Sequence, residues 1–332
     1  MACGPPGNPC TAGRPLVEDV AAVPGRLPAD PGGSARGGRH MISPAATADP
    51  PPHRWQPQLG DVQETLLIPL YFRARETARP DAIVRDPEAV RIAATLDYDF
   101  ARFDSAWIVG LDCVIRSEIF DERVRAFIDR HPEAVIINLG AGLDARFQRV
   151  DNAAIRWYDL DLPDAITVRD RLLPPADRVV HLAASMFDPA WLEQVTAAPG
   201  TPVLVIAEGL FCYCGEEDLR RLFARLADRW PGVHVLFQSI SPRYVGRESR
   251  VPAVKLTRAR LRWGLESGRE IESWSDRYRF LGEWAFIDRH RDRWGHLRWL
   301  SLLPWIRRDL RTVMKISEVR LDGPEPVAGA AR

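Results

Sequence analysis

The chain has 332 residues, 46% of them hydrophobic, with 45 basic residues against 45 acidic ones. That is enough apolar material for one large domain or two small ones, and a net charge of zero leaves no global field to attract nucleic acid or an anionic membrane. No apolar run approaches the roughly 18–20 residues that cross a bilayer, and the five cysteines (Cys3, Cys10, Cys113, Cys212, Cys214) fit no zinc or disulfide spacing.

Residues 1–57 contain 12 prolines and 8 glycines. Such a segment buries too little apolar surface to offset its ordering entropy, so it is expected to be disordered. It lacks a basic start followed by an apolar stretch, hence it is not read as a secretory signal. Met41 is an alternative start, and the cysteines are expected to be reduced thiols of a cytoplasmic protein. Order is expected from about Gln63. Residues 64–78 carry Leu66, Leu67, Leu70 and Phe72 at helical spacing, with a kink or break expected at Pro69. Residues 79–100 read as a turn and a short helix. Residues 103–130 form a long amphipathic helical region with Val114, Ile115, Ile119, Phe120, Val124 and Phe127 on one side, stopped by His131-Pro132. Together, 58–132 is expected to be a helical cap.

Strands and helices then alternate. Strands are expected at 134–139, 155–160, 178–182, 203–207 and 233–238; helices at 144–150, 163–173, 189–196 and 215–229. Val- and Ile-rich strands separated by helices imply a mostly parallel sheet. The alternation stops after Ser239. Residues 241–268 carry Arg243, Arg247, Arg250, Lys255, Arg258, Arg260 and Arg262 with few acids; strands return near 277–287 and 312–320. The end, 322–332, reads as a loose tail.

The most informative stretch is Val135-Ile136-Ile137-Asn138-Leu139-Gly140-Ala141-Gly142-Leu143-Asp144-Ala145-Arg146, an apolar strand running through a glycine turn into a helix. The next strand ends on acids at Asp159 and Asp161, the latter 21 residues after Gly140. Glycines that let a ligand lie on backbone, followed by an acid for ribose hydroxyls, suit an adenosine. The same G-x-G-x-x-A spacing fits a dinucleotide fold or an ordinary βα turn.

"VIINLGAGLDARFQRV", "WYDLDLP" and "VLVIAEGLFCYC" occur in that order, and with them the chain, from about Glu64 to Leu321, resembles the leucine carboxyl methyltransferase superfamily, in its bacterial branch of polyketide-type O-methyltransferases. The resemblance implies a Rossmann-like class I methyltransferase fold: an α/β architecture with a mostly parallel seven-stranded sheet, an N-terminal helical cap (58–132) and a lid inserted after strand five (241–268), all within a domain spanning 58–321. It implies S-adenosyl-L-methionine as cofactor and a small-molecule acceptor, with no nucleic acid, membrane or metal; the oligomeric state stays open.

By that resemblance Asp161, in Asp161-Leu162-Pro163, binds the ribose; Asp159, two residues earlier on the same strand face, is its competitor. A further reading of Asp161 is a cap for the helix begun at Pro163. Gly140 and Gly142 line the amino-acid and ribose portion. Asp144 reads better as a helix-start acid than as a ligand contact. Arg116 is the candidate for the methionine carboxylate, with a solvated arginine as the alternative. Ser185 and Met186 fall where the family contacts the adenine, although many members carry an acid where Ser185 stands; Asp188 before Pro189 looks like a cap. Glu208 closes strand four where the family contacts the methionine amino group. Tyr213 lines the acceptor pocket or packs in the core. Cys212 and Cys214 read as packing thiols. His290 and His296 receive no catalytic role. The alternatives from other classes are an NAD(P)-dependent oxidoreductase, for which the chain lacks a Tyr-x-x-x-Lys, and a nucleotide-binding scaffold without turnover.

Overall fold

Five short apolar runs build the parallel part of a sheet because they are covered on both faces, which is the environment that β-branched residues fit. They are β1 (Val135–Leu139), β2 (Arg156–Asp161), β3 (Val179–Ala183), β4 (Val203–Ala207) and β5 (Val233–Ile240). All five residues of both β1 and β4 are buried. With β6 (Tyr278–Ala285) and β7 (Met314–Leu321) they make one seven-stranded sheet of order β3-β2-β1-β4-β5-β7-β6. The first five strands are parallel, and β7 runs antiparallel to both β5 and β6. The sheet is therefore mixed, mostly parallel, as expected. This computed structural model describes Trp55, residues 66–247 and residues 260–323. These belong to the compact unit Pro52–Arg332; the other unit, Met1–Pro51, lies outside the described residues.

Among the described residues the α-helices longer than four residues are α1 (Leu67–Thr77), α2 (Pro87–Thr95), α3 (Trp107–Arg130), α4 (Arg146–Val150), α5 (Pro163–Leu172), α6 (Glu216–Arg229) and α7 (Pro304–Val313). No break occurs at Pro69. The helix starts at Leu67, so proline falls in the first turn, where an N–H has no intrahelical partner to lose. In α2, Asp86 accepts from the Ala89 amide and Pro87 opens the helix. In α6, three acids sit in the first turn and Leu219, Leu222, Phe223 and Leu226 face the core.

Some boundaries differ from expectation. The helix expected from Asp144 starts at Arg146, and that expected at 189–196 is a 3₁₀ segment, Pro189–Gln194. Residues 304–313 are helical, with strand beginning only at Met314. Trp55, inside the stretch expected to be disordered, pairs with the chain at Leu96: its amide donates to the Thr95 carbonyl and its carbonyl accepts from the Asp97 amide, both at 2.9 Å. The Arg171 guanidinium lies over its ring, 4.5 Å from the centroid. The remainder of 1–57, the tail from 324, and Arg250, Lys255 and Arg258 lie outside the described residues. Among the described residues no helix is long and apolar enough to cross a membrane.

Candidate active site

Sheet register sets the site. Leu139 pairs with Leu160 on one side and with Ala207 on the other. The residues after these three, Gly140, Asp161 and Glu208, therefore emerge side by side at the carboxyl edge, where parallel α/β sheets bind ligands. They border a cavity of about 690 Å³, and Arg116, Gly142, Ser185 and Met186 border it too. All seven residues chosen from sequence thus meet around one space.

Gly140 and Gly142 both adopt left-handed backbone, φ +65° and +48°. A Cβ at Gly140 would come within 3.0 Å of Leu210, and one at Gly142 within 2.8 Å of Leu66. This turn aims the Gly142 amide at Asp161 Oδ2, 2.8 Å away, while Asp161 Oδ1 accepts from the Leu162 amide at 2.8 Å. Burial outweighs these two donors and pushes the Asp161 carboxyl above the usual aspartate range. Asp161 makes no cap for α5, whose N-cap Leu162 has no side-chain cap bond. Its competitor Asp159 is fully buried and outside the cavity wall, accepting from Asn138 Nδ2 (2.9 Å), Trp157 Nε1 (2.8 Å) and Arg169 Nη2 (2.6 Å). Asp159 is a structural hub, and of the two only Asp161 borders the cavity.

Glu208 anchors a buried ion network. Its Oε1 accepts from Arg116 Nε at 2.7 Å and its Oε2 from Arg146 Nη2 at 2.5 Å. Arg116 Nη1 also donates to Gln238 Oε1 at 3.2 Å. Arg146, with no exposed surface, donates to Asp121 at 2.7 Å; its Nη1 stands 2.7 Å from Asp144 Oδ2 as an ion pair without hydrogen-bond angles. Arg149 bridges Asp121, Asp144 and Asp86, and Asp86 binds Arg73. Four guanidiniums thereby face four carboxylates. Burial alone would raise the Glu208 and Asp144 carboxyls, but the arginines prevail and hold both below the usual range. Asp144 works here as an ion-pair partner of Arg146 and Arg149, with no side-chain cap bond on α4. Arg116 is a buried pair rather than a solvated arginine.

Sequence reasoning missed Arg146, Arg149 and Asp121. The available signal was their position: Arg146 and Arg149 share a helix face, and Asp121 interrupts the apolar side of α3. It also missed Asp112, which borders the cavity one turn before Arg116.

Beyond β3, Ser185 Oγ accepts from the Phe187 amide at 3.3 Å, and the Met186 carbonyl accepts from Trp191 Nε1 at 3.1 Å. Asp188 accepts from the Ala190 amide at 3.0 Å, acting as the expected cap, and is not in the cavity wall. Tyr213, Cys212 and Cys214 border the cavity; burial raises all three, the thiols up to about 12, so they remain protonated and inert at neutral pH. His290 binds Glu118 at 2.8 Å, and neither it nor His296 reaches the cavity wall.

This sheet, with its glycine turn and acid-tipped second strand around one cavity, defines a class: α/β enzymes that bind a nucleoside at the carboxyl edge of the sheet. The model of the family described as leucine carboxyl methyltransferase matches residues 67–227. The tetracenomycin polyketide synthesis O-methyltransferase TcmP of Streptomyces glaucescens is 32% identical over 232 residues, 70% of this chain and 85% of that one. The S-adenosyl-L-methionine-dependent methyltransferase dpfgK of Gibberella zeae is 28% identical over 187 residues, 52% of this chain and 62% of that one. A crystal structure from Thermobifida fusca YX, assigned to the methyltransferases, superimposes with a TM-score of 0.50 at 17% identity, covering 77% of this chain and 94% of that one, and shows the shared fold. The chain belongs to the leucine carboxyl methyltransferase family and is an S-adenosylmethionine-dependent methyltransferase. The oxidoreductase and scaffold alternatives fall with that assignment.

Proposed function

We propose that this enzyme methylates an oxygen, carboxyl or hydroxyl, of a small aromatic or polyketide-like metabolite. The observation that carries the reading is the convergence of Arg116, Gly140, Gly142, Asp161, Ser185, Met186 and Glu208 on one cavity at the carboxyl edge of the sheet. TcmP, an O-methyltransferase of polyketide synthesis by name, supports the oxygen and the substrate class.

The residues fit the cofactor. Asp161 keeps lone pairs free beside the Gly142 backbone for a ribose. Met186, Leu162 and Phe187 give the neighbouring wall an apolar surface for a purine, with the Ser185 hydroxyl beside it. Glu208 offers acceptor oxygens to an ammonium, and Arg116 Nη2, which binds no described residue, faces a carboxylate's needs. S-adenosylmethionine supplies a methyl group already activated on a sulfonium, so positioning and exclusion of water are the protein's main tasks. Residues 241–268 then serve as the acceptor lid over a 58–321 domain; Leu261 borders the cavity from that segment.

Two measurements test the reading. Calorimetry should show S-adenosylhomocysteine binding and no NAD binding. Labelled methyl transfer to extracts of the producing cell, followed by mass spectrometry, should yield an O-methylated aromatic product. A product methylated on nitrogen or carbon would refute the oxygen assignment.

A further inference from the structure

Apolar surface is concentrated at one turn of this molecule. Of the ten large hydrophobic side chains exposed among the described residues, five fall between positions 299 and 305. They are Trp299, Leu300, Leu302, Leu303 and Trp305, the two tryptophans being 62% and 65% exposed. Scattered exposed leucines are ordinary, whereas a contiguous run marks a contact surface.

The turn is held firmly from beneath. Leu297 and Ser301 are buried, and Ser301 Oγ accepts from Arg291 Nη2 at 3.3 Å while donating to the Arg298 carbonyl at 2.9 Å. The amides of Trp299, Leu300, Ser301, Leu302 and Leu303 all donate to carbonyls within 296–300, and Pro304 has no N–H to satisfy. Arg307 and Arg311 fasten α7 to Asp288 at 2.8 and 3.1 Å. The apolar side chains therefore stand on a backbone whose N–H groups over 299–304 need no water, as entry into a nonpolar medium requires.

Charge around this turn is one-sided. Arg298 and Arg308 are exposed, Arg291 is half-buried, and none of the three has a carboxylate partner among the described residues. Arg308 follows Trp305 by three residues and shares its helix face. The Arg298 guanidinium lies over the Trp299 ring, 4.7 Å from the centroid. Asp309, the one acid between 297 and 313, is already bound to Arg243. A net charge of zero removes a global field but not this local surplus.

The turn lies on the cavity's side of the sheet. Strand β6 ends at Ala285, which pairs with Lys315, and Met314 pairs with Ile240. Residues 286–313 thus leave and rejoin the sheet at the carboxyl edge of β5, the edge that holds the cavity, and Met314 itself borders it. Trp107, 44% exposed and two residues before the cavity residue Val109, lies beside Gly295 of the same excursion.

We infer that the turn spanning 298–308 is a lipid-contact element. Trp299, Leu302, Leu303 and Trp305 enter the headgroup boundary of an anionic bilayer, Arg298 and Arg308 meet its phosphates, and the cavity edge of the sheet faces the membrane. Tryptophan rings beside arginines, where an apolar surface gives way to a charged one, are the arrangement of an interfacial anchor. An isologous contact between two copies would instead gather these arginines with their own counterparts at one interface. The inference replaces the expectation of no membrane, drawn from net charge and the lack of a spanning run, with a peripheral contact that neither of those bears on. Aromatic metabolites partition into lipid, so an enzyme of the proposed acceptor class gains from a docking edge beside its cavity. The lipid contact itself does not depend on that class.

Co-sedimentation of the full chain with vesicles is the test, comparing phosphatidylcholine alone with an equal mixture of phosphatidylcholine and phosphatidylglycerol. Wild type should bind the anionic vesicles at least about tenfold more tightly than the neutral ones. The double variant Trp299→Ser/Trp305→Ser should weaken that binding by at least about tenfold. Brominated lipid should quench the tryptophan fluorescence of wild type more than that of this variant. The double variant Arg298→Glu/Arg308→Glu should abolish the preference for anionic vesicles. Both variants should melt as wild type does, because the four side chains are exposed and outside the cavity wall. No binding to anionic vesicles, equal binding to both compositions, binding that survives the tryptophan substitutions, or a lowered melting temperature in either variant would each overturn the inference. A wild-type dimer that the tryptophan variant turns into a monomer would overturn it too, assigning this surface to a second copy of the chain.

Discussion

Asp161 and Arg146 show two ways a buried charge is used at this edge of the sheet. Asp161 is held by two backbone amides and keeps acceptor capacity toward the cavity. Asp161→Ala should therefore weaken S-adenosylhomocysteine binding by about 1.5–3 kcal/mol, the scale of charge-assisted hydrogen bonds, with little loss of stability. Calorimetry of the variant checks this, and wild-type affinity would mean that the ribose is held elsewhere. Arg146 is the converse. It has no exposed surface and faces Asp121, Asp144 and Glu208 at once. Arg146→Ala leaves buried acids uncompensated and should cost about 3–5 kcal/mol of folding stability, read from denaturant unfolding. Asp161 was legible in the sequence because a strand, a glycine turn and an acid at fixed spacing form a local signal. Arg146 was not, because its partners come from α3 and from the end of β4, and only the sheet register brings them together.

The elements read from the sequence are those whose environment is uniform. The strands β1 and β4 are covered on both faces, and α6 carries an unbroken apolar stripe, so their periodicity sufficed. Where burial is mixed the signal failed. In α7, Ile306, Leu310 and Val313 do recur at helical spacing behind Pro304, but none of its residues is buried and the stripe spans only two turns. Pro69 misled for a related reason: its effect depends on whether it falls in the first turn or the middle of a helix, and the start at Leu67 is fixed by packing of Leu67 and Leu70 into the cap's core. The βα turn gives the prediction at this scale. Gly140→Ala must place a Cβ in left-handed backbone within 3.0 Å of Leu210. It should cost about 1–2 kcal/mol in stability from backbone alone. It should weaken cofactor binding further, since Leu210 also borders the cavity and has to yield. Wild-type melting and calorimetry of Gly140→Ala would show that the turn tolerates a side chain and that the close backbone approach is unnecessary.

Across the whole molecule the site leaves two opposed marks on stability. The Asp121, Asp144 and Glu208 carboxyls are held below their ordinary values by arginines. A depressed folded-state pKa contributes stability above the unfolded value and loses it as pH falls through the folded one, so this network should fail in acid, below about pH 4. Being buried, it should respond weakly to added salt. Asp112 acts with the other sign. Its folded-state carboxyl sits at about 7 against an ordinary 3.8. Its contribution is whole below pH 3.8 and is lost as pH rises toward about 7. At about 1.4 kcal/mol per pH unit, that interval sets an upper bound of about 4 kcal/mol. Asp112→Asn removes the titration and leaves the arginine network untouched. The difference in unfolding free energy, variant minus wild type, should be smallest near pH 4, grow in favour of the variant up to about pH 7, and stay level above it. Denaturant titrations at pH 4, 5.5, 7 and 8.5 measure that difference directly, with contributions common to both proteins cancelling. A constant difference would mean that Asp112 has an ordinary pKa and a hidden partner. A variant gaining stability between about pH 4 and pH 7, where the unfolded chain ionises this residue and the fold does not, would show that the fold keeps Asp112 buried at its own expense.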